Sequence, residues 1–384
     1  MSKKVGIITF HAAHNCGSIL QAYALQTVLK NKMNIESEII DFSNKGQREY
    51  YSVYVPTDSF KHLVKNIFTF FVAGKVKKEH EQYEKYIHEN LMMTKKRYLS
   101  TEELTELSSE YDCLICGSDQ VWNVTCVDAD DAYFLSFASG LKKIAYATSL
   151  GAKNINKYAD DIKKYKKYIA DFTAISVREA NGKKWIDELM SGDGPKVDIT
   201  ADPTLLLNRD EWNARAKNAI VSGKYIFYYA FNYTKEVNET VKKISKKFNM
   251  PVYMFDVKSW GVKGNFRFGF RLADEYGPEA FLSLIKNAEM VMTTSFHGTV
   301  FSTIFEKNFW YLDSSMHSKD DDRARYLLQQ LGLENRLIDI SKVEATDLRI
   351  NPDFSNSRIL VEKLKKNSIE FFQKHICDGA DNEY

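Results

Sequence analysis

The sequence predicts an α/β protein of two tandem, doubly wound domains. Three observations point there. The chain has 384 residues, against about 150 for an average domain. Its short strands are apolar on both faces and alternate with helical stretches, as in a parallel sheet covered by helices. Each strand also ends abruptly in polar residues, the pattern of a sheet that binds ligands beyond its carboxyl edge. Composition agrees, with 44% hydrophobic and 27% charged residues, and Gly 18 and Pro 6 argue against flexible linkers or fibrous repeats. Lys+Arg 53 against Asp+Glu 51 leaves a net charge of +2. That offers no field for holding a nucleic-acid backbone, so no nucleic-acid partner is expected. Five cysteines do not make a disulfide framework in a chain of this size.

The first element is Val5-Gly6-Ile7-Ile8-Thr9-Phe10, an apolar run that breaks into residues 11–18. Ile19, Leu20, Tyr23, Leu25 and Leu29 follow near helical spacing, so strand, loop and helix open a βαβ unit. Residues 37–42 read as the second strand and 79–92 as a charged helix. The rhythm resumes at Cys113-Leu114-Ile115-Cys116, then at 143–148 and 174–178, and Pro203 closes this half after 197–202. It restarts with strands at 225–230, 251–255, 290–294 and 309–312, and residues 360–372 form a terminal amphipathic helix. The expected organisation is a Rossmann-like domain at 1–208, a second at 209–350, and a helix and tail at 351–384.

No segment reaches the ~18 apolar residues that span a bilayer; the longest candidate is Ile67-Phe68-Thr69-Phe70-Phe71-Val72-Ala73. The first ten residues are too short in apolar length for a signal peptide, so a cytoplasmic protein is expected. Peripheral contact with the inner face of the membrane stays open through residues 60–78, which combine Leu63, Ile67, Phe68, Phe70, Phe71 and Val72 with five lysines. The plainer reading is a helix packed on its own domain with its lysines in water.

Five polar loops follow strands and mark the candidate site: 11–18, 117–123, 176–179, 201–204 and 295–299. In the last, Ser295, His297, Gly298 and Thr299 stand where a helix begins. Its N–H groups attract phosphate, glycine permits close approach, and an imidazole can donate a proton near neutral pH. His297 could equally be a core histidine satisfied by a carbonyl or carboxylate. Arg178 could grip a carboxylate or phosphate with its planar fork, or pair with Glu179. Asp119 could orient sugar hydroxyls beside Trp122, or cap a helix. Asn15, with Gly17 and Ser18, could bind an anion or a sugar, although no G-x-G-x-x-G is present. Lys319, Arg323 and Arg325 share a segment with Asp320, Asp321 and Asp322, a mixture typical of a solvated helix start. Cys113 and Cys116 lie within one strand and should point to opposite faces, against a redox or zinc role. Cys16, in the first loop, is the thiol expected to be more open to chemistry.

Taken together and in this order, TFHAAHNCGSILQ (Thr9 to Gln21), CGSDQVWN (Cys116 to Asn123), SVRE (Ser176 to Glu179), DPTLL (Asp202 to Leu206) and TSFHGTV (Thr294 to Val300) resemble the polysaccharide pyruvyl transferase family. The resemblance implies a two-lobed fold similar to the B-type glycosyltransferases, with the acceptor on the N-terminal and the donor on the C-terminal domain. It implies transfer of a pyruvyl group from phosphoenolpyruvate to two hydroxyls of one sugar, in a cell-surface polysaccharide or its lipid-linked precursor, with ketal formation and phosphate release. No metal or redox cofactor is needed for that chemistry. His297 becomes the candidate general acid or phosphate ligand and Arg178 the clamp on the donor. Lys319 or Arg323 would supply a further cation, and Asn15 and Asp119 would contact donor or acceptor. Two other expectations fit the same architecture: a nucleotide-sugar-dependent glycosyltransferase, and a non-catalytic glycan-binding or assembly protein.

Overall fold

The structure is a computed structural model describing residues 4–314 and 321–377. The first half builds a sheet from β1 (Val5–Ile8), β2 (Ser37–Ile39), β3 (Cys113–Cys116), β4 (Lys142–Thr148), β5 (Ala174–Val177) and β6 (Val197–Ile199), in the order β2-β1-β3-β4-β5-β6. The second half repeats the plan with β7 (Ile226–Tyr229), β8 (Val252–Met254), β9 (Arg271–Leu272), β10 (Met290–Thr293), β11 (Phe309–Asp313) and β12 (Leu337–Asp339), ordered β12-β11-β10-β7-β8-β9. Every pairing is parallel. The central strands are buried on both sides, which is why they read as unbroken apolar runs. Cys113 and Cys116 belong to core clusters on opposite faces of the first sheet, as their spacing requires. β9 and β12 were not expected: two and three residues long, they carry too little pattern to read.

Strand order reverses beside β1 in one sheet and beside β7 in the other, so the switch points lie at β1/β3 and β7/β10. Open α/β sheets bind ligands outside the carboxyl ends of strands at such points.

Two helices cross between the halves. Residues 60–78 and 79–92, read separately from sequence, form one helix, Phe60–Asn90. The stretch 60–78 packs mainly on the second half rather than on its own as expected, and further along Tyr83 and Glu84 meet Cys16 and His14 of the first half. Val72 lies against Gly261, Lys78 Nζ donates to Asp274 O, and Gln82 bonds both Glu275 and the Tyr276 amide. The helix Ser355–Phe372 returns the other way. Phe372 stacks on Tyr146 with ring centroids 4.2 Å apart, and Ser368 Oγ accepts from Ala201 N at 2.9 Å. Among the described residues no helix is long and apolar enough to cross a membrane.

Candidate active site

The loop after β1 turns into the helix Cys16–Met33, and Asn15 caps it by accepting from Gly17 N at 2.9 Å and Ser18 N at 3.3 Å. Gln21, one turn inside, donates to Thr9 Oγ1 and Ser18 O, both at 2.8 Å, and accepts from Ser118 N at 2.9 Å. One amide thus ties the β1 and β3 loops together. Asp119 sits beyond β3 at φ +70° and accepts from Ser18 Oγ at 2.5 Å. No helix starts there, so its capping alternative is not realised. Trp122 is buried, with its indole N–H on Tyr133 O, and does not form a sugar platform. Cys16 is likewise buried, 3.2 Å from the Tyr83 hydroxyl, and burial pushes its thiol far above the usual range.

Arg178 follows β5 and is only 3% exposed. Its Nη1 donates to Asp202 Oδ2 at 2.6 Å and its Nη2 to Asp119 Oδ1 at 3.2 Å, while Nε lies 3.6 Å from Glu179 Oε2. The guanidinium also stacks over Phe296, 4.2 Å from the ring centre. Three carboxylates therefore engage the cation, including the Glu179 partner considered from sequence.

The second half contributes the helix Phe296–Ile304, capped by Ser295, whose Oγ accepts from Gly298 N at 3.3 Å. His297, 7% exposed, places Nε2 3.5 Å from Asp202 Oδ2, close enough for an ion pair but without the alignment of a hydrogen bond, so this nitrogen is buried with no hydrogen bond. Gly17 explains how the halves meet: a Cβ there would stand 2.0 Å from His297 Nδ1. Only glycine lets the imidazole lie on the start of the helix Cys16–Met33. A Cβ at Gly298 would meet Thr293 Oγ1 at 2.2 Å, and the Thr299 hydroxyl donates to Ser295 O at 3.1 Å. Among the described residues Gly17, Gly298 and Thr299 therefore stand behind the cleft wall, where they set its shape.

The cleft itself is about 470 Å³ and is walled by both halves, including Asn15, Ser18, Asp119 and Arg178 from one and Ser295, His297 and Arg323 from the other. Arg323 is held by Asp321 through two bonds of 2.8 Å, whereas Arg325 turns away to Asp313 at 2.6 Å. Lys319 lies outside the described residues.

Burial alone would raise Asp202, yet the neighbouring His297 side chain and Arg178 guanidinium hold its carboxyl well below the usual range. Asp119 is depressed too, against its own desolvation, by Arg178 and then His297. Glu179 behaves differently. Desolvation pushes it up to about 7 despite Arg178, its Oε1 accepts from Leu150 N at 3.1 Å, and its Oε2 is buried without a hydrogen bond. From sequence Asp202 has no role of its own, and Glu179 stands only as a partner for Arg178. A carboxylate after a strand looks the same buried or exposed until its partners are known. Tyr50 and Phe231, 59% and 66% exposed at the cleft mouth, gave no sequence signal at all.

Residues 15–316 match the family described as polysaccharide pyruvyl transferase, and that span contains every loop of the cleft except its start and the stretch after β11. The chain belongs to this family. The fold of this pyruvyl transferase is also that of known two-lobed sugar enzymes. It is similar to UDP-GlcNAc 2-epimerase from Neisseria meningitidis bound to UDP-GlcNAc (TM-score 0.52, 11% identity, 97% of this chain and 100% of that one). It is similar to the S. aureus MnaA–UDP co-structure as well (TM-score 0.52, 12% identity, 100% of both chains). At such identities the likeness concerns the fold alone. A comparison with curated proteins returns no match.

Proposed function

We propose that this pyruvyl transferase uses phosphoenolpyruvate as donor and builds a ketal on two hydroxyls of one sugar, in a cell-surface polysaccharide or its lipid-linked precursor, on the cytoplasmic side of the membrane. The observation that carries the reading is His297, at a helix start on the wall of a cleft between the two halves, its buried Nε2 beside Asp202 yet without a hydrogen bond.

The chemistry has a definite balance. A proton goes to the donor methylene while one sugar oxygen bonds to the neighbouring carbon and loses its own proton. The carbon–oxygen bond to phosphate then breaks, and the second sugar hydroxyl closes the ring as its proton leaves with hydrogen phosphate. Diol and phosphoenolpyruvate become ketal and inorganic phosphate, with no change of oxidation state and no call for a cofactor. In our reading His297 is the acid that protonates the methylene, and Asp202 orients the imidazole. The helix starts at Cys16 and Phe296, with Arg323, face the anionic donor. Arg178 is a positioning residue: its fork is already engaged by Asp119, Asp202 and Glu179, so we assign it to holding Asp202 under His297 rather than to clamping the donor. The exposed rings of Tyr50 and Phe231 suit the apolar face of an acceptor sugar.

Phosphoenolpyruvate should raise the melting temperature of the wild-type protein, and with acceptor it should yield free phosphate. His297→Asn should lower that yield by about 10²–10⁴-fold without lowering the melting temperature. UDP-GlcNAc, named with the Neisseria epimerase, is the comparison ligand: stabilisation by it, with none from phosphoenolpyruvate, would favour a nucleotide-sugar transferase instead.

A further inference from the structure

The helix Phe60–Asn90 has a second apolar face that its packing does not use. Positions 60, 63, 67, 70 and 71 fall on one stripe at 3.6 residues per turn. Phe60 is 81%, Leu63 47%, Ile67 53%, Phe70 71% and Phe71 77% exposed. Thr69, Val72, Val76 and Tyr83 point the other way and pack on the protein. Single exposed apolar side chains need no explanation, but five in register on one stripe do.

Exposed lysines stand at both edges of its carboxyl end. At 3.6 residues per turn Lys77 falls beside Phe70 and Lys75 beside Phe71, and among the described residues neither forms an ion pair with a carboxylate. Cationic edges on an apolar stripe match an anionic surface with an apolar interior.

We propose that this face docks on a bilayer containing anionic phospholipid, with the phenylalanines at the acyl boundary and the lysines among the headgroups. Such helices lie in the interface plane, sunk roughly 5–10 Å into it.

The position gives the contact a use. Asn66 exchanges two hydrogen bonds with the backbone of Val55, at 3.0 and 2.8 Å, and so fixes the segment leading from the helix Lys45–Tyr51. Tyr50 and Tyr51 of that short helix line the cleft. The docked face therefore adjoins the cleft mouth, where an acceptor carried on a lipid would arrive. Docking itself stands independently of the pyruvyl chemistry; only this use of it rests on the proposed function.

Co-sedimentation with phosphatidylcholine vesicles, with and without phosphatidylglycerol, tests it. The wild type should pellet with the phosphatidylglycerol vesicles. The substitutions Phe60→Ser/Phe70→Ser/Phe71→Ser and Lys75→Glu/Lys77→Glu should each bind at least about tenfold more weakly. Both variants change exposed or half-buried side chains and should melt with the wild type. A wild type that stays in the supernatant with anionic vesicles overturns the proposal, as does a serine variant that binds undiminished. Light scattering adds a third contrary result: a wild-type dimer that the serine substitutions dissociate, with no vesicle binding. Protein that pellets with vesicles yet releases no phosphate from phosphoenolpyruvate upholds docking and defeats the proposed function.

Discussion

Arg178 brings its charge, and His297 its imidazole, to a buried group of three carboxylates, Asp119, Asp202 and Glu179. Of the three, Glu179 is the one that desolvation raises, to about 7, whereas Asp119 and Asp202 are held down. The consequence for stability has a definite sign. A carboxyl raised in the folded protein binds more protons there than when unfolded, so its contribution is retained at low pH. That contribution is lost as pH rises from the unfolded value of ordinary glutamate, about 4.3, through about 7. Glu179→Gln carries no such penalty. Its stability relative to the wild type should therefore increase between pH 5 and pH 8, by on the order of 2–3 kcal/mol, as measured by denaturant unfolding at both values. An unchanged difference would show that Glu179 is ionised throughout. Asp202 and Asp119, depressed by their cations, work in the opposite sense and lose stability only in acid, below the ordinary carboxyl range. The sequence offered Arg178 as a fork for an anion or as a partner of Glu179. It could not show three acids on three loops closing around it, because that pairing spans 59 residues from Asp119 and 24 to Asp202.

At the level of elements, the strands were readable because each central one is apolar throughout and stops at a polar loop. β9 and β12 escaped because edge strands of two and three residues leave no periodicity. The helix Phe60–Asn90 was misplaced for a different reason. Apolar residues on both of its faces cancel the one-sided pattern by which a packing face is recognised, so sequence could not tell which half it joins. The terminal helix was recognised, yet its landing place was not. Phe372, fully buried on Tyr146, is the anchor of that return to the first half. Phe372→Ala should cost about 3–5 kcal/mol in equilibrium unfolding, the usual range for deleting a buried ring. A loss below about 1 kcal/mol would mean that the helix does not hold the halves together.

For the molecule as a whole, two parallel sheets turn their switch points toward one cleft, and the crossing helices keep them facing. That the loops at the strand ends would converge was legible from the order of motifs. The contact of Gly17 with His297 was not, since it joins the first loop of one half to the helix start after β10 in the other. Because two helix starts and an imidazole meet there, the central claim is spatial: a small anionic enol ester sits between the halves with its phosphate at the start of the helix Phe296–Ile304. A crystal structure of the protein with phosphoenolpyruvate tests this most directly. The account predicts ligand density in the cleft, with the methylene within hydrogen-bond reach of His297 and phosphate oxygens on the backbone N–H groups beside Ser295. Density confined to another site, or a cleft that takes up UDP-GlcNAc and leaves phosphoenolpyruvate in solution, would contradict it.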